Sequence, residues 1–160
     1  MVQALVRCSP DIYLTSPQKL IAMRNAIIQI FLFVDCLIIG GFTNSAIVNL
    51  SFRVVTPPAG FDLTKSEDLV AAMSVMEPKH FLMPFFAHAI GTFVSAYLIT
   101  WLIDGRKLSW ALLAGFLFML SGASMIFALP SPLWFDAVDL GLAYIPMAWF
   151  GYKLALRFSK

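Results

Sequence analysis

Three ionisable side chains lie inside stretches of sequence that are otherwise apolar, and their chemistry is the starting point. They are His88, Asp139 and Asp35. A charged or titratable group is costly inside a lipid bilayer, so it marks either a functional site or a polar contact with a neighbouring helix. An unpaired ionised carboxylate is not tolerated in hydrocarbon, so Asp35 must be protonated, paired or close to water.

Depth along the helices predicts which of these groups meet. At about 1.5 Å of rise per residue, His88 lies about 12 Å and Asp139 about 10 Å below the same face of the membrane. Asp35 lies deeper, at about 20 Å from that face. We therefore predict that His88 pairs with Asp139 and not with Asp35.

Other polar residues gather near the same face and extend this pair into a predicted polar pocket that opens outward. The pocket candidates are His88, Asp139, Asp136, His80, Glu77, Asn44 and Asp35. Structural roles remain open for several of them. Asp136 lies in the first turn of a helix, where a carboxylate suits the helix dipole. His88 could also serve only as a hydrogen bond between helices.

The sequence leaves the cofactor unknown and shows no motif of a specific catalytic chemistry. It contains no zinc-protease, serine-hydrolase or phosphate-loop motif. A haem held between two helices would need a histidine on each, and both histidines of this chain lie in one segment. A metal site has suitable ligand types but no diagnostic spacing; its ligands would come from His80, His88, Glu77, Asp136 and Asp139.

The composition defines the environment that must hold these residues. Of the 160 residues, 60% are hydrophobic and 12% are charged, whereas a soluble domain carries about 25% charged residues. The lipid bilayer is therefore the predicted solvent. The net charge of +2 is too small to indicate nucleic-acid binding.

Four apolar stretches are each long enough for a membrane crossing, which takes about 20 residues. We predict an all-α integral membrane protein, a single domain over 1–160 built as an antiparallel four-helix bundle. The crossings are placed at about 26–48, 80–103, 108–129 and 133–156. The outer loop, 51–78, carries a short amphipathic periplasmic surface helix at about 65–76, with a capping box predicted from Thr64 to Glu67.

The distribution of Lys and Arg predicts the orientation, because cytoplasmic loops carry the excess of these residues. Eight of them fall on the side that holds both termini and three on the other side. Both termini are therefore predicted to be cytoplasmic, in a multi-pass protein of a bacterial inner membrane.

Three functional hypotheses follow. The first is a small transporter or channel-like protein, a homo-oligomer in which Asp35, His88 and Asp139 line a polar path. The second is an accessory or assembly subunit of a larger membrane complex. The third is a membrane-embedded enzyme or metal-binding protein. Small residues at four-residue spacing, Ala87, Gly91 and Ser95, place a helix contact beside His88 in each case.

Overall fold

The structure is a computed structural model that describes residues 16–158, and every regular element in that range is helical. The predicted all-helical class is thus confirmed. A 3₁₀ turn, Met73–Val75, follows the second of six α-helices. The helices are α1 (Ser16–Val54), α2 (Ser66–Ala72), α3 (Pro78–Leu102), α4 (Lys107–Ala128), α5 (Leu133–Leu142) and α6 (Ile145–Phe158).

Within the described range, three helices are long and apolar enough to cross a membrane. These segments are Pro17–Ser51 in α1, Pro78–Leu102 in α3 and Lys107–Ala128 in α4. Each exceeds the roughly 20 residues that a crossing requires. The sequence placed the first crossing at 26–48, and α1 continues beyond it at both ends.

The fourth predicted crossing, 133–156, is not one continuous helix. It is divided into α5 and α6 by Ala143 and Tyr144, which are turn residues. Pro146 has no backbone N–H to donate to the carbonyl of Leu142, so the helical ladder is interrupted there. Neither part alone reaches the length of a membrane crossing.

Together, however, α5 and α6 follow α3 along most of its length. The ring of Phe135 on α5 packs on the ring of Phe81 at the start of α3, with 4.9 Å between centroids. Further along, Ala148 of α6 packs with Ala96. Gly151 lies so close to α3 that an added Cβ would be 2.6 Å from the carbonyl oxygen of Phe93. The divided segment therefore runs parallel to α3.

The central helix is α3, which contacts α1 on one side and α4, α5 and α6 on the others. It touches α1 where two glycines meet. A Cβ on Gly40 would lie 2.7 Å from the carbonyl oxygen of Gly91, and one on Gly91 would lie 2.8 Å from that of Gly40. Small residues thus let the two backbones approach directly. The predicted contact stripe of Ala87, Gly91 and Ser95 is buried.

The long segments α1, α3, α4 and the combined α5 and α6 alternate in direction along the chain, so the connections gather at two ends of the bundle. We call the end that holds residues 55–77 and 129–132 the loop end. The opposite end holds the tight turn 103–106, where Gly105 adopts a φ of 87° that favours glycine. Near this opposite end, Ala96, Ala111 and Ala148 form a closely packed cluster.

The predicted surface helix is present as α2, but it begins differently from the prediction. Its N-cap is Lys65 and carries no side-chain capping bond. The Thr64 hydroxyl donates instead to Asp62 Oδ1 at 2.6 Å. The capping box predicted from Thr64 to Glu67 is therefore wrong, because Asp62 takes the hydroxyl that would have capped the helix.

Candidate functional site

The candidate site is a cavity of about 460 Å³ at the loop end of the bundle. Side chains of α1, α2, α3, α4 and α5 contribute to its wall, together with loop residues such as Pro57 and Leu63. Its volume falls in the range of roughly 300–1,000 Å³ that is usual for small-molecule sites. Five of the seven predicted pocket residues line it: His88, Asp139, Asp136, His80 and Asn44.

The predicted pairing of His88 with Asp139 is present in the structure. His88 Nδ1 lies 2.9 Å from both carboxylate oxygens of Asp139. The Nδ1–H donates to the carboxylate, which fixes the tautomer and the orientation of the ring. No residue within 16–158 forms a hydrogen bond with Nε2, and 24% of the side chain is exposed where it lines the cavity.

Tyr144 completes this group. Its hydroxyl donates to Asp139 Oδ2 at 2.9 Å, and its ring stacks on His88 with 5.6 Å between centroids. We call His88, Asp139 and Tyr144 the cavity floor. Asp139 is only 5% exposed and Tyr144 only 1%, so the carboxylate is held almost entirely by these two donors. Tyr144 is not among the predicted pocket residues, because 133–156 was predicted to be one unbroken helix.

A glycine makes room for Tyr144. A Cβ built on Gly122 of α4 would overlap the Tyr144 hydroxyl and lie 2.7 Å from its ring carbon Cζ. The contact that Gly122 makes is therefore with the cavity floor.

A second carboxylate, Asp136, lies in the first turn of α5 and also lines the cavity. Its Oδ1 accepts a hydrogen bond from the Ser131 hydroxyl at 2.5 Å. The residue is only 8% exposed, yet its other oxygen has no hydrogen-bond partner among residues 16–158. Asp136 is thus a buried acceptor with capacity left on the side of the cavity.

The wall formed by α1 adds an unsatisfied polar atom. Asn44 lines the cavity, and its Oδ1 is buried without a hydrogen-bond partner in the described part of the chain. The hydroxyl oxygens of Thr92 and Ser95, on the adjoining face of α3, are in the same state. A buried polar atom without a partner costs about 1–3 kcal/mol, so these three atoms weaken the contact between α1 and α3.

Both ring nitrogens of His80 are engaged in hydrogen bonds at the loop end. Its Nδ1 accepts the backbone N–H of Glu77 at 2.9 Å. With Nδ1 in that role, Nε2–H donates to the carbonyl oxygen of Thr56 at 3.2 Å. The ring therefore ties the loop after α1 to the start of α3.

Glu77 lies outside the cavity, contrary to its inclusion in the predicted pocket. It is exposed and forms an ion pair with Lys79 at 2.9 Å. The hydrogen bond and the charge of Lys79 lower the pKa of the Glu77 carboxyl. As the N-cap of α3, Glu77 was close in sequence to the pocket residues but points away from them.

Asp35 also lies outside the cavity. It is exposed on the face of α1 that carries Phe31, Ile38 and Phe42, all at least half exposed. The opposite face of the same turn, with Phe33 and Cys36, packs into the bundle. Asp35 was included in the predicted pocket because it is an ionisable residue inside an apolar helix, and that position does not define the direction in which its side chain points.

Most of the remaining cavity wall is apolar. Beside aliphatic side chains, it includes three phenylalanines and three methionines: Phe81, Phe118, Phe135, Met73, Met76 and Met125. None of the lining residues is Lys or Arg. Within residues 16–158, no three His, Cys, Asp or Glu side chains come close enough together to hold a metal ion. The site therefore combines an apolar chamber with the polar side chains of His88, Asp139 and Tyr144 at its floor.

Comparison of the chain with protein-family models, with curated proteins and with solved structures finds no match.

Proposed function

We propose that this protein is a small membrane transporter whose cavity binds an amphipathic molecule from the outer face of the membrane. The observation that carries the proposal is the His88–Asp139–Tyr144 floor beneath an apolar chamber of about 460 Å³. An apolar chamber with a few convergent polar groups is the usual form of a small-molecule site. The hydrogen-bonded pair of His88 and Asp139 supplies these convergent polar groups, with His88 Nε2 unpaired among the described residues.

The proposal includes a topology with four crossings, in which α5 and α6 together make the fourth. Their course alongside α3 supports this, since the combined segment extends from Phe81 at one end of α3 to Phe93 further along. With both termini in the cytoplasm, the loop end faces outward and the cavity opens to the periplasm. The close packing of Ala96, Ala111 and Ala148 then closes the cytoplasmic half.

Transport requires that the cavity become accessible from each side in turn, and this defines the test. In a background of Cys8→Ser and Cys36→Ala, Ser121→Cys places a single thiol on the cavity wall, where Ser121 is exposed. A maleimide that cannot cross the membrane is applied to right-side-out and to inverted vesicles. We expect labelling of this thiol in both preparations.

Two matched thiols make the result interpretable. Ser66→Cys lies at the start of α2 on the loop end, and Ser109→Cys lies near the start of α4 on the opposite end; both positions are exposed. Each should be labelled from one side only. Labelling of the Ser121→Cys thiol from the outer side alone would reduce the site to a binding pocket without transport, and labelling only from the inner side would contradict the proposed orientation.

A second copy of the chain is the proposed partner, and Asp35 is the observation that favours it. Asp35 lies midway along α1 on an exposed apolar face. Every Lys and Arg within 16–158 lies toward an end of its helix or in a loop, so none of the cations in that range is at the depth of Asp35. Two copies inserted in the same direction present Asp35 at equal depth about a two-fold axis, where a pair of carboxyls can share one proton.

A further inference from the structure

We infer that the molecule taken up by the cavity is a lipophilic cation, such as an organic ammonium or phosphonium ion with aromatic substituents. The inference rests on the proposed function, because it names the chemical class that the proposed site would take. Three features of the cavity support it: the charges of the lining, the free carboxylate oxygen of Asp136 and the aromatic residues of the wall.

The charges of the lining favour a cation over an anion. Asp136 and Asp139 both line the cavity, and no Lys or Arg does. Protonation of His88 compensates at most one of the two carboxylates, and His80 is committed to hydrogen bonds with Glu77 and Thr56. The lining therefore offers two carboxyl groups and no permanently charged cation, which favours a cation over an anion. The low-dielectric wall strengthens the effect of a carboxylate charge.

The hydrogen-bonding capacity points to the same class. The free group on the wall is an acceptor, the second carboxylate oxygen of Asp136. The donors near the floor, His88 Nδ1–H and the Tyr144 hydroxyl, are already committed to Asp139. An anionic ligand would meet neither of these donors free, whereas a cation or a protonated amine would meet the free oxygen of Asp136.

The apolar part of the wall suits the body of such a ligand. Phe118 is a partly exposed aromatic residue of this wall, and an aromatic ring attracts a cation by its quadrupole. Met73, Met76 and Met125 adapt to ligands of different shape, since an unbranched thioether side chain repacks readily. This combination favours a large, weakly hydrated cation over a small metal ion that needs a closed shell of oxygen ligands.

Equilibrium binding to the purified protein tests the inference with two probes of equal shape and opposite charge. Tetraphenylphosphonium and tetraphenylborate are titrated by calorimetry into detergent-solubilised protein, with protein-free micelles as the blank. We expect saturable binding of tetraphenylphosphonium at one site per chain and no saturable binding of tetraphenylborate. Equal binding of both ions would overturn the inference.

Matched substitutions locate the site. Asp136→Asn removes the charge and can still accept the Ser131 hydroxyl, so we expect tetraphenylphosphonium to bind at least about tenfold more weakly. Asp104→Asn removes the same charge from an exposed position at the opposite end and should leave binding unchanged. An unchanged affinity in Asp136→Asn would overturn the inference.

A second pair of variants tests the site independently, in case Asp136→Asn fails to fold. Ser121→Lys adds a positive charge to an exposed part of the cavity wall, whereas Ser124→Lys adds it one turn further along α4, outside the cavity. Only Ser121→Lys should weaken the binding of tetraphenylphosphonium, and equal effects of the two would contradict the site.

These measurements need no transport, so the two proposals fail separately. Selective binding of the cation together with one-sided labelling of the Ser121→Cys thiol would refute transport and keep the ligand class. Labelling from both sides without selective binding would refute the ligand class and keep transport.

Discussion

At the cavity floor, the Asp139 carboxylate accepts hydrogen bonds from His88 on α3 and from Tyr144 at the junction of α5 and α6. A hydrogen bond to a charged group contributes about 1.5–3 kcal/mol, and the carboxylate is almost fully buried. The Tyr144 hydroxyl is therefore a structural support for the pair that faces the ligand.

Tyr144→Phe tests this support. The substitution removes one donor to a buried carboxylate, so we expect a loss of about 1–3 kcal/mol of stability, seen as a lower midpoint of thermal unfolding in detergent. Tyr152→Phe is the matched control, because Tyr152 is partly buried and its hydroxyl forms no hydrogen bond within residues 16–158. Similar shifts in both variants would mean that the bond to Asp139 adds nothing to stability.

The pairing of His88 with Asp139 could be predicted from the sequence because both helices begin at the loop end. Residue counts from a shared starting face convert directly into depth at about 1.5 Å per residue. Tyr144 could not be placed in the same way. The interruption at Ala143 and Tyr144 resets the rotation of the chain, and a helix counted without it assigns Tyr144 to a wrong side.

Among the helices, glycines decide which surfaces touch. Gly122→Ala should displace Tyr144 from α4, because the new Cβ would overlap its hydroxyl. Overpacking of this kind costs about 1–3 kcal/mol, and the thermal unfolding midpoint should fall accordingly. The same variant should also weaken the binding of tetraphenylphosphonium, since it disturbs the cavity floor.

Gly141→Ala is the control for helix propensity. Gly141 lies in α5, and a Cβ built there has no atom within 4 Å. Alanine is favoured over glycine in a helix by up to about 1 kcal/mol, so the midpoint should stay the same or rise. A fall in this variant comparable to that of Gly122→Ala would contradict the steric explanation.

The helices themselves were largely predictable from the sequence, whereas their rotation was not. Apolar residues surround α1 on all sides, so hydrophobicity does not indicate which side meets α3. Only the direct contact of Gly40 with Gly91 sets that rotation. In this rotation Phe33 and Cys36 face the bundle and Asp35 faces outward. The rotation could not be predicted from the sequence, so Asp35 was wrongly included in the pocket.

At the scale of the whole molecule, the exposed Asp35 predicts association. Asp35→Leu removes the proposed hydrogen bond between the Asp35 carboxyls of two copies. The dissociation constant of the dimer should rise about tenfold, since polar contacts between helices in a membrane contribute about 0.6–2 kcal/mol. Light scattering of the detergent complex across a dilution series measures this. Asp35→Asn retains a side chain that both donates and accepts, and it should stay dimeric.

A monomeric parent protein at all concentrations would exclude the second copy as the partner of Asp35. The surface would then belong to a different membrane protein that carries a donor or a cation at that depth. This outcome would favour the hypothesis of an accessory subunit over that of a transporter built from two copies.

The interruption between α5 and α6 has a mechanical consequence. α5 is a lever about 15 Å long that carries Asp136 and Asp139 on one side of the chamber. α6 is anchored separately by Ala148 and Gly151 against its neighbours. A tilt of α5 of about 10° about Tyr144 would move its far end by about 2.6 Å. Such a tilt would change the width of the chamber at the loop end, while the packing of Ala96, Ala111 and Ala148 at the opposite end stays unchanged.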